Sequence, residues 1–137
     1  MIDSFKGENR FLSNFWPAKV VLDDMTFASV EHAYVATKTL DMLKRKEIQS
    51  VPTPGQVKRL GRTLVLRPDW DEVKLGVMED LVRQKFQHPE LAKLLLAAGE
   101  QELVEGNTWG DTFWGECFGS GANHLGKILM KVRDELA

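Results

Sequence analysis

The sequence predicts an α+β fold, a mainly helical single domain over residues 1–137 with a small antiparallel sheet. Three observations lead there. Two short runs suited to strands lie near the start, on either side of Asp23-Asp24. Several amphipathic stretches follow, most of them opened by a capping residue. A loop from 106 to 122 carries five glycines and two tryptophans ahead of one last apolar-periodic stretch.

The elements follow in chain order. Phe11 to Phe15 and Lys19 to Leu22 read as strands, with Asp23-Asp24 turning the chain into Met25-Thr26-Phe27. Ser29 is an N-cap, so the helix it opens is expected from about Val30 to Lys44-Arg45-Lys46, whose charge suits a helix C-terminus. Thr53-Pro54-Gly55-Gln56 is a capping box with proline at the first helical position, opening a short helix that stops near Gly61. Leu64-Val65-Leu66 reads as a brief strand or extended link halted by Pro68. Asp69 with Glu72 caps an amphipathic helix whose ridges are Val73, Val77, Leu81 and Leu75, Met78, Val82, Phe86. His88-Pro89 breaks it, Leu91, Leu94, Leu95 and Ala98 mark the next helix, and Gly99 ends that one. Glu102 to Glu105 suggests one more strand. The last helix starts near Asn123 and turns Leu125, Ile128, Leu129, Val132 and Leu136 inward.

Composition narrows the classes. A length of 137 residues suffices for a sizeable core without disulfides or structural metal. Hydrophobic content of 43% with 28% charged residues is that of a globular protein and argues against disorder. The single cysteine, Cys117, allows no intrachain disulfide, and the start MIDSFKGENR has no signal-like apolar stretch, so a cytoplasmic protein is expected. No apolar run approaches the roughly 20 residues of a membrane span. A formal net charge of −2 argues against tight sequence-independent binding to nucleic acid. The charge is nevertheless uneven, because from Lys38 to Arg67 eight basic residues face only Asp41 and Glu47. Such an excess is either a solvated surface or counter-charge for a phosphorylated ligand. Oligomeric state is not legible.

Three groups of residues could carry chemistry. On the helix after Ser29, steps of about 100° put Glu31, Tyr34, Val35 and Lys38 on one stripe and Ala33, Ala36 and Leu40 opposite. Glu31 lies in the first turn, where the macrodipole favours a carboxylate. Lys38 lies about 10.5 Å further along the same face, a gap into which a sugar fits; an exposed helix face would show the same pattern. In Trp109 to Gly115, Asp111 is flanked by Trp109, Phe113 and Trp114 inside a long loop of the kind that forms binding sites. Asp111 suits orienting a ribose hydroxyl or activating water, and a tryptophan suits stacking on a base; core plugs around a turn are the alternative. Gly119 to Asn123 runs into the last helix and offers backbone N–H groups to an anion, though it matches neither a Walker A nor a GxGxxG pattern; a flexible loop with an Asn cap is the alternative. Arg62 and Arg67 suit gripping phosphate or pairing with surface acids. His32, His88 and His124 have no metal-ligand spacing, so no metal site is expected.

Several stretches together resemble one known family. They are Phe11-Leu12-Ser13-Asn14-Phe15, Ser29 to Tyr34 with Lys38, Gly61-Arg62 with Arg67-Pro68-Asp69-Trp70, and Met78 with Lys85-Phe86. Asp111 to Gly115 and Gly121 to Gly126 with Leu129-Met130 complete the set. In this order, over nearly the whole chain, the sequence is similar to the NADAR, or YbiA-like, family.

The resemblance implies a YbiA-like fold and an N-glycosidase acting on bonds between ribose C1 and an exocyclic amine. Family members are associated with removing ADP-ribose from guanine in nucleic acid, and with cleaving ribosylated, phosphorylated pyrimidine intermediates of riboflavin synthesis. The family's functional positions fall on Glu31, Trp70 and Asp111. Breaking a C1–N bond develops oxocarbenium character, which one carboxylate can stabilise while another helps activate water. Glu31, Asp111 and Lys38 are therefore the expected catalytic residues, with Lys38 able to capture the ring-opened sugar as a Schiff base in a secondary route. Asn14, Arg62, Trp70, Trp114, Gly115 and Asn123 are expected to hold substrate. No cofactor is required. The expected partner is ADP-ribosylated guanine in DNA or RNA, or else a phosphorylated ribosylamine. A module that binds ADP-ribose or NAD without cleaving it is the non-enzymatic alternative.

Overall fold

A computed structural model describes all 137 residues, and they fall into two compact units, residues 14–85 and residues 1–13 with 86–137. No helix is long and apolar enough to cross a membrane.

In the first unit, strand β1 (Pro17–Leu22) pairs antiparallel with β2 (Met25–Ser29). Asp23 and Asp24 both have positive φ, 49° and 64°, the signature of the two-residue turn whose twist matches a hairpin. A bulge between Pro17 and Val20 shifts the register, and Ala18 and Val20 face inward. The side-chain amide of Gln84 bonds both the N–H (2.7 Å) and the carbonyl (2.9 Å) of Val21. Phe11 to Phe15, expected as a strand, is instead divided between the units: Gly7–Leu12, in the unit of residues 1–13 with 86–137, is a 3-10 helix in which consecutive Phe11 and Leu12 are both buried, which a half-exposed strand does not allow.

β2 runs straight into helix α1 (Val30–Thr37), whose N-cap is Ser29. The Ser29 hydroxyl oxygen accepts from the His32 N–H (3.1 Å) and meets His32 Nδ1 at 2.7 Å. His32 Nε2 lies 2.9 Å from the Val51 carbonyl and so carries the proton. α1 stops at Thr37, well short of the expected Lys44 to Lys46. Asp41 caps a separate helix, α2 (Met42–Ser50), and the buried Arg45 donates from Nε to the carbonyls of Ala36 (3.1 Å) and Thr39 (2.9 Å). A guanidinium from the next helix thus closes the end of α1, an interaction without a periodic signal. Helix α3 (Pro54–Gly61) follows with Thr53 as its cap, as the capping box predicts. Leu64 to Leu66 is not a strand; Val65 is 90% exposed. Helix α4 (Trp70–Lys85) buries Trp70, Met78, Leu81 and Val82, while Leu75 of the expected ridge is exposed. α1 packs against β1, β2, α2, α3 and α4, which explains why it is buried on nearly every side.

In the second unit, helix α5 (Pro89–Ala97) begins after His88 and is followed by Gly99 at φ 66°, as expected of a left-handed C-terminal residue. The Glu102 to Glu105 strand reduces to a parallel bridge between Leu103 and Ile2. Inside the glycine-rich loop two further short strands, β3 (Gly106–Asn107) and β4 (Glu116–Cys117), pair in parallel. Helix α6 (His124–Leu136) buries Leu125, Ile128, Leu129 and Val132 and packs on α5. The architecture is α+β, mainly helical, with a small antiparallel sheet, as the sequence predicts.

Candidate active site

The unit of residues 14–85 brings together Asn14, Glu31, Lys38, Arg62 and Trp70. Because β2 delivers Ser29 to the N-cap, Glu31 falls in the first turn of α1, and its N–H donates to the Asn14 carbonyl (3.1 Å). The Asn14 amide in turn donates to Met78 Sδ (3.5 Å) on α4. Glu31 and Lys38 are both half-buried on an otherwise buried helix, so the simple exposed face that the sequence allowed does not exist.

One turn after Tyr34, Lys38 folds its ammonium over the Tyr34 ring at 5.3 Å from the centroid. Tyr34 packs against Trp70, the first residue of α4, with centroids 5.4 Å apart and planes tilted by 55°. Gly61 leaves room at the end of α3: a methyl group there would come within 3.2 Å of Val35 and 3.6 Å of Lys38 Nζ. Burial holds the Lys38 amine below the usual lysine range; Glu31 opposes that shift, and Lys58, Arg62 and Lys74 add to it. Three further cations therefore act on Lys38 with Glu31 opposing them, and Lys74 is paired with Asp71 at 3.2 Å. Lys58 and Arg62 stand one helical turn apart, a spacing visible in the sequence, and Lys58 also lies over the Phe15 ring at 5.9 Å. Sequence reasoning counted Lys58 only within the basic excess from Lys38 to Arg67 and did not include Lys74.

Arg67 takes a different part from Arg62. Its guanidinium grips Asp69 through two bonds, 2.6 and 3.0 Å, and its N–H donates to the Lys38 carbonyl (2.8 Å). It pins the 64–67 segment to the end of α1 and pairs with an acid.

The other unit gathers Asp111, Trp114, Gly115 and Asn123. Asp111 Oδ1 accepts from the N–H groups of Phe113 (3.2 Å) and Trp114 (2.9 Å), which winds the loop around the carboxylate. Asn107 holds the same loop: its Oδ1 accepts from the Asp111 N–H (3.0 Å) and its Nδ2 donates to the Asp111 carbonyl (2.8 Å). Trp114 meets Phe113 edge-on at 4.8 Å, and Phe113 packs on His124 at 4.5 Å. Gly115 is buried where a Cβ would strike the Glu105 carbonyl. Asn123 is buried with φ 52°; its Oδ1 accepts from the Glu105 N–H (3.0 Å) and its Nδ2 donates to the Leu103 carbonyl (2.9 Å). The N–H groups of Asn123, His124 and Leu125 donate to the carbonyls of Gly115, Phe113 and Trp114. The anion site expected at Gly119 to Asn123 is corrected accordingly, since the loop itself takes the donors at the start of α6. No three His, Cys, Asp or Glu side chains converge as metal ligands.

Comparison with known proteins agrees with the expected fold and family. The model of the NADAR domain matches residues 3–137. The N-glycosidase YbiA of Escherichia coli is 44% identical over 131 residues, covering 91% of this chain and 80% of that protein. An N-glycosidase of Nostoc punctiforme is 42% identical, covering 90% and 83%. A riboflavin biosynthesis protein of Vibrio vulnificus is 39% identical over 92% of this chain but only 35% of its own length. The NMR structure of E. coli YbiA superimposes with a TM-score of 0.84 at 39% identity, covering 99% of this chain and 86% of that one.

Proposed function

The chain belongs to the NADAR domain family and is a hydrolase of N-glycosyl bonds, and from that premise we propose that it removes ADP-ribose from guanine bases of nucleic acid. The observation that carries this reading is the positive charge that Lys58, Arg62 and Lys74 add at Lys38, which lies over Tyr34 beside Trp70, with Glu31 opposing it and Asp71 pairing with Lys74. A diphosphate matches that concentration of positive charge, and the tilted Tyr34–Trp70 pair gives the ribose or base an aromatic wall.

In direct hydrolysis the C1–N bond breaks, and its electron pair goes to the exocyclic nitrogen, which takes a proton. Water adds to C1 and gives up its own proton. Glu31 stabilises the positive charge at C1 or receives the proton from water. Arg62 holds phosphate, and Asn14 and Trp70 position the sugar. Asp111, in the other unit, is the second acid expected from the sequence; its Oδ1 shapes the Trp-rich loop, and Asp111→Asn tests whether its charge bears on turnover.

A covalent route is favoured by one observation, the desolvated Lys38 amine. A ribosylamine that opens to its imine can be attacked at C1 by Lys38, releasing the base amine and leaving a lysine imine that water hydrolyses. Borohydride trapping separates the routes: a substrate-dependent adduct on Lys38 supports the covalent one, while full activity in Lys38→Ala eliminates it.

A second substrate, the phosphorylated ribosylamine of riboflavin intermediates, is favoured by the name of the Vibrio relative. The deciding experiment offers both substrates to the wild type and to Glu31→Ala. Preferential release of ADP-ribose from an ADP-ribosylated oligonucleotide, leaving unmodified guanine in the strand and lost in Glu31→Ala, is expected. Turnover of the pyrimidine ribosylamine alone would overturn the guanine reading.

A further inference from the structure

The residue after Asn14 carries an aromatic ring that stands partly in solvent beside the site. Phe15 is 39% exposed, whereas Phe27, the other phenylalanine of residues 14–85, is 1% exposed. Two sets of contacts fix where Phe15 stands. The carbonyl that accepts the Glu31 N–H (3.1 Å) belongs to the Asn14–Phe15 peptide, and the Asn14 amide is tied to Met78 Sδ on α4 (3.5 Å). The Lys58 ammonium lies 5.9 Å from the centroid of the Phe15 ring, and that same ammonium is close enough to Lys38 to disfavour its charged form. Phe15 therefore borders the cations of the site, at the end of α1 where Glu31 lies.

The Tyr34–Trp70 pair serves the other end. Trp70 follows the segment whose Arg67 N–H bonds the Lys38 carbonyl (2.8 Å), and Lys38 lies about 10.5 Å beyond Glu31 along α1. A phosphorylated ribosylamine has two ends as well. With C1 at Glu31, where the direct route places it, the phosphates run toward Lys38 and Arg62. On the far side of C1 is the base whose amine leaves. That base is flat and heteroaromatic in both substrates considered above, and stacking of a base on an aromatic side chain accepts any such ring. Guanine also carries O6 and N7 acceptors suited to a lysine ammonium, which Lys58 supplies at the Phe15 ring.

We propose that the departing base stacks on Phe15, which makes Phe15 the residue that selects a planar heteroaromatic amine as leaving group. The proposal rests on the placing of C1 at Glu31 and holds for guanine and for the pyrimidine alike.

The test is isothermal titration calorimetry of the full chain with ADP-ribosylated guanosine and with free ADP-ribose, which lacks the base that leaves. Both are titrated into Glu31→Ala, so that the first ligand stays whole. The guanosine should add roughly 5- to 150-fold in affinity, the range of one base stacked on one ring. Phe15→Leu in the same background should remove that gain and leave ADP-ribose binding as before, while Phe15→Tyr and Phe15→Trp keep the gain. Phe15→Met, which fills space without a ring, replaces Phe15→Leu if circular dichroism shows the latter unfolded. The phosphorylated pyrimidine ribosylamine against ribose 5-phosphate gives the same comparison for the second substrate. Three results would overturn the proposal: no gain from the base with either substrate, a gain that survives loss of the ring, or ADP-ribose weakened as much as ADP-ribosylated guanosine, which would put the adenine on Phe15. Release of ADP-ribose by wild type, measured separately, judges the guanine reading. Failure there with a Phe15-dependent gain intact would reject the reaction assignment and leave the stacking site standing.

Discussion

Replacing Asn123 by alanine separates a structural from a substrate-binding role for this residue. In the folded chain its side chain is buried and bonds the Leu103 carbonyl at 2.9 Å and the Glu105 N–H at 3.0 Å. Alanine leaves both backbone groups without these partners, at about 1 to 3 kcal/mol for each group that water does not reach. It also places a residue with a Cβ, lacking asparagine's local hydrogen bonds, at φ 52°, which adds about 1 kcal/mol. Gly126 allows no adjustment, since it lies so close to the Leu103 carbonyl that a Cβ would collide with it. The total, roughly 3 to 5 kcal/mol once some solvation of the half-buried Glu105 is allowed, is a large share of a typical domain's 5 to 15 kcal/mol. Urea denaturation followed by tryptophan fluorescence and circular dichroism should rank wild type above Asn123→Gly, which keeps the conformation, and Asn123→Gly above Asn123→Ala. A stability of Asn123→Ala within about 1 kcal/mol of wild type, joined to a raised KM, would refute the reasoning. Asn123 would then be holding substrate.

Three further outcomes are expected. Glu31→Gln removes the carboxylate that supports the charged Lys38, so the Lys38 pKa falls further; if the covalent route operates, residual trapping on Lys38 extends to lower pH, and an unmoved profile would uncouple the two groups. Asp111→Asn keeps the acceptor for Phe113 and Trp114 but not the charge, so kcat should fall at least tenfold while stability changes little; unchanged kcat would reduce Asp111 to a loop former, and Asp111→Ala should lose stability as well. Lys85 is buried and its pKa is pushed down to about 7 by desolvation. Its unfolded value is near the usual lysine range, so between pH 7 and about 10 the unfolded chain holds the extra proton and stability rises with pH. Lys85→Met should flatten that rise, by an amount on the order of a few kcal/mol across the window, and an identical slope in both proteins would contradict it.

Much of the chain was legible from local chemistry. Asp23-Asp24, Ser29, Thr53-Pro54, His88-Pro89 and Gly99 each act within a few residues, and each marks the boundary expected of it. The family was legible for another reason, since ordered motifs over the whole length need no coordinates. Other features were settled by contacts between distant residues. The end of α1 is set by Arg45 reaching back to Ala36 and Thr39, and periodicity gives no sign of it. Burial of α1 on nearly all sides follows from five packing partners, so a stripe containing Glu31 and Lys38 could be read as surface until those partners were placed.

By itself the sequence determined the α+β class, the family, the N-glycosidase chemistry it implies and the candidate acids, because residue type and order carry them. Only the tertiary structure decided that Arg67 pairs with Asp69, that the N–H groups opening α6 are taken by the Trp-rich loop, and that Lys58 and Lys74 join Lys38 and Arg62. Charge and hydrogen bonding depend on distance and burial, and for residues far apart along the chain both are set only when the chain has packed.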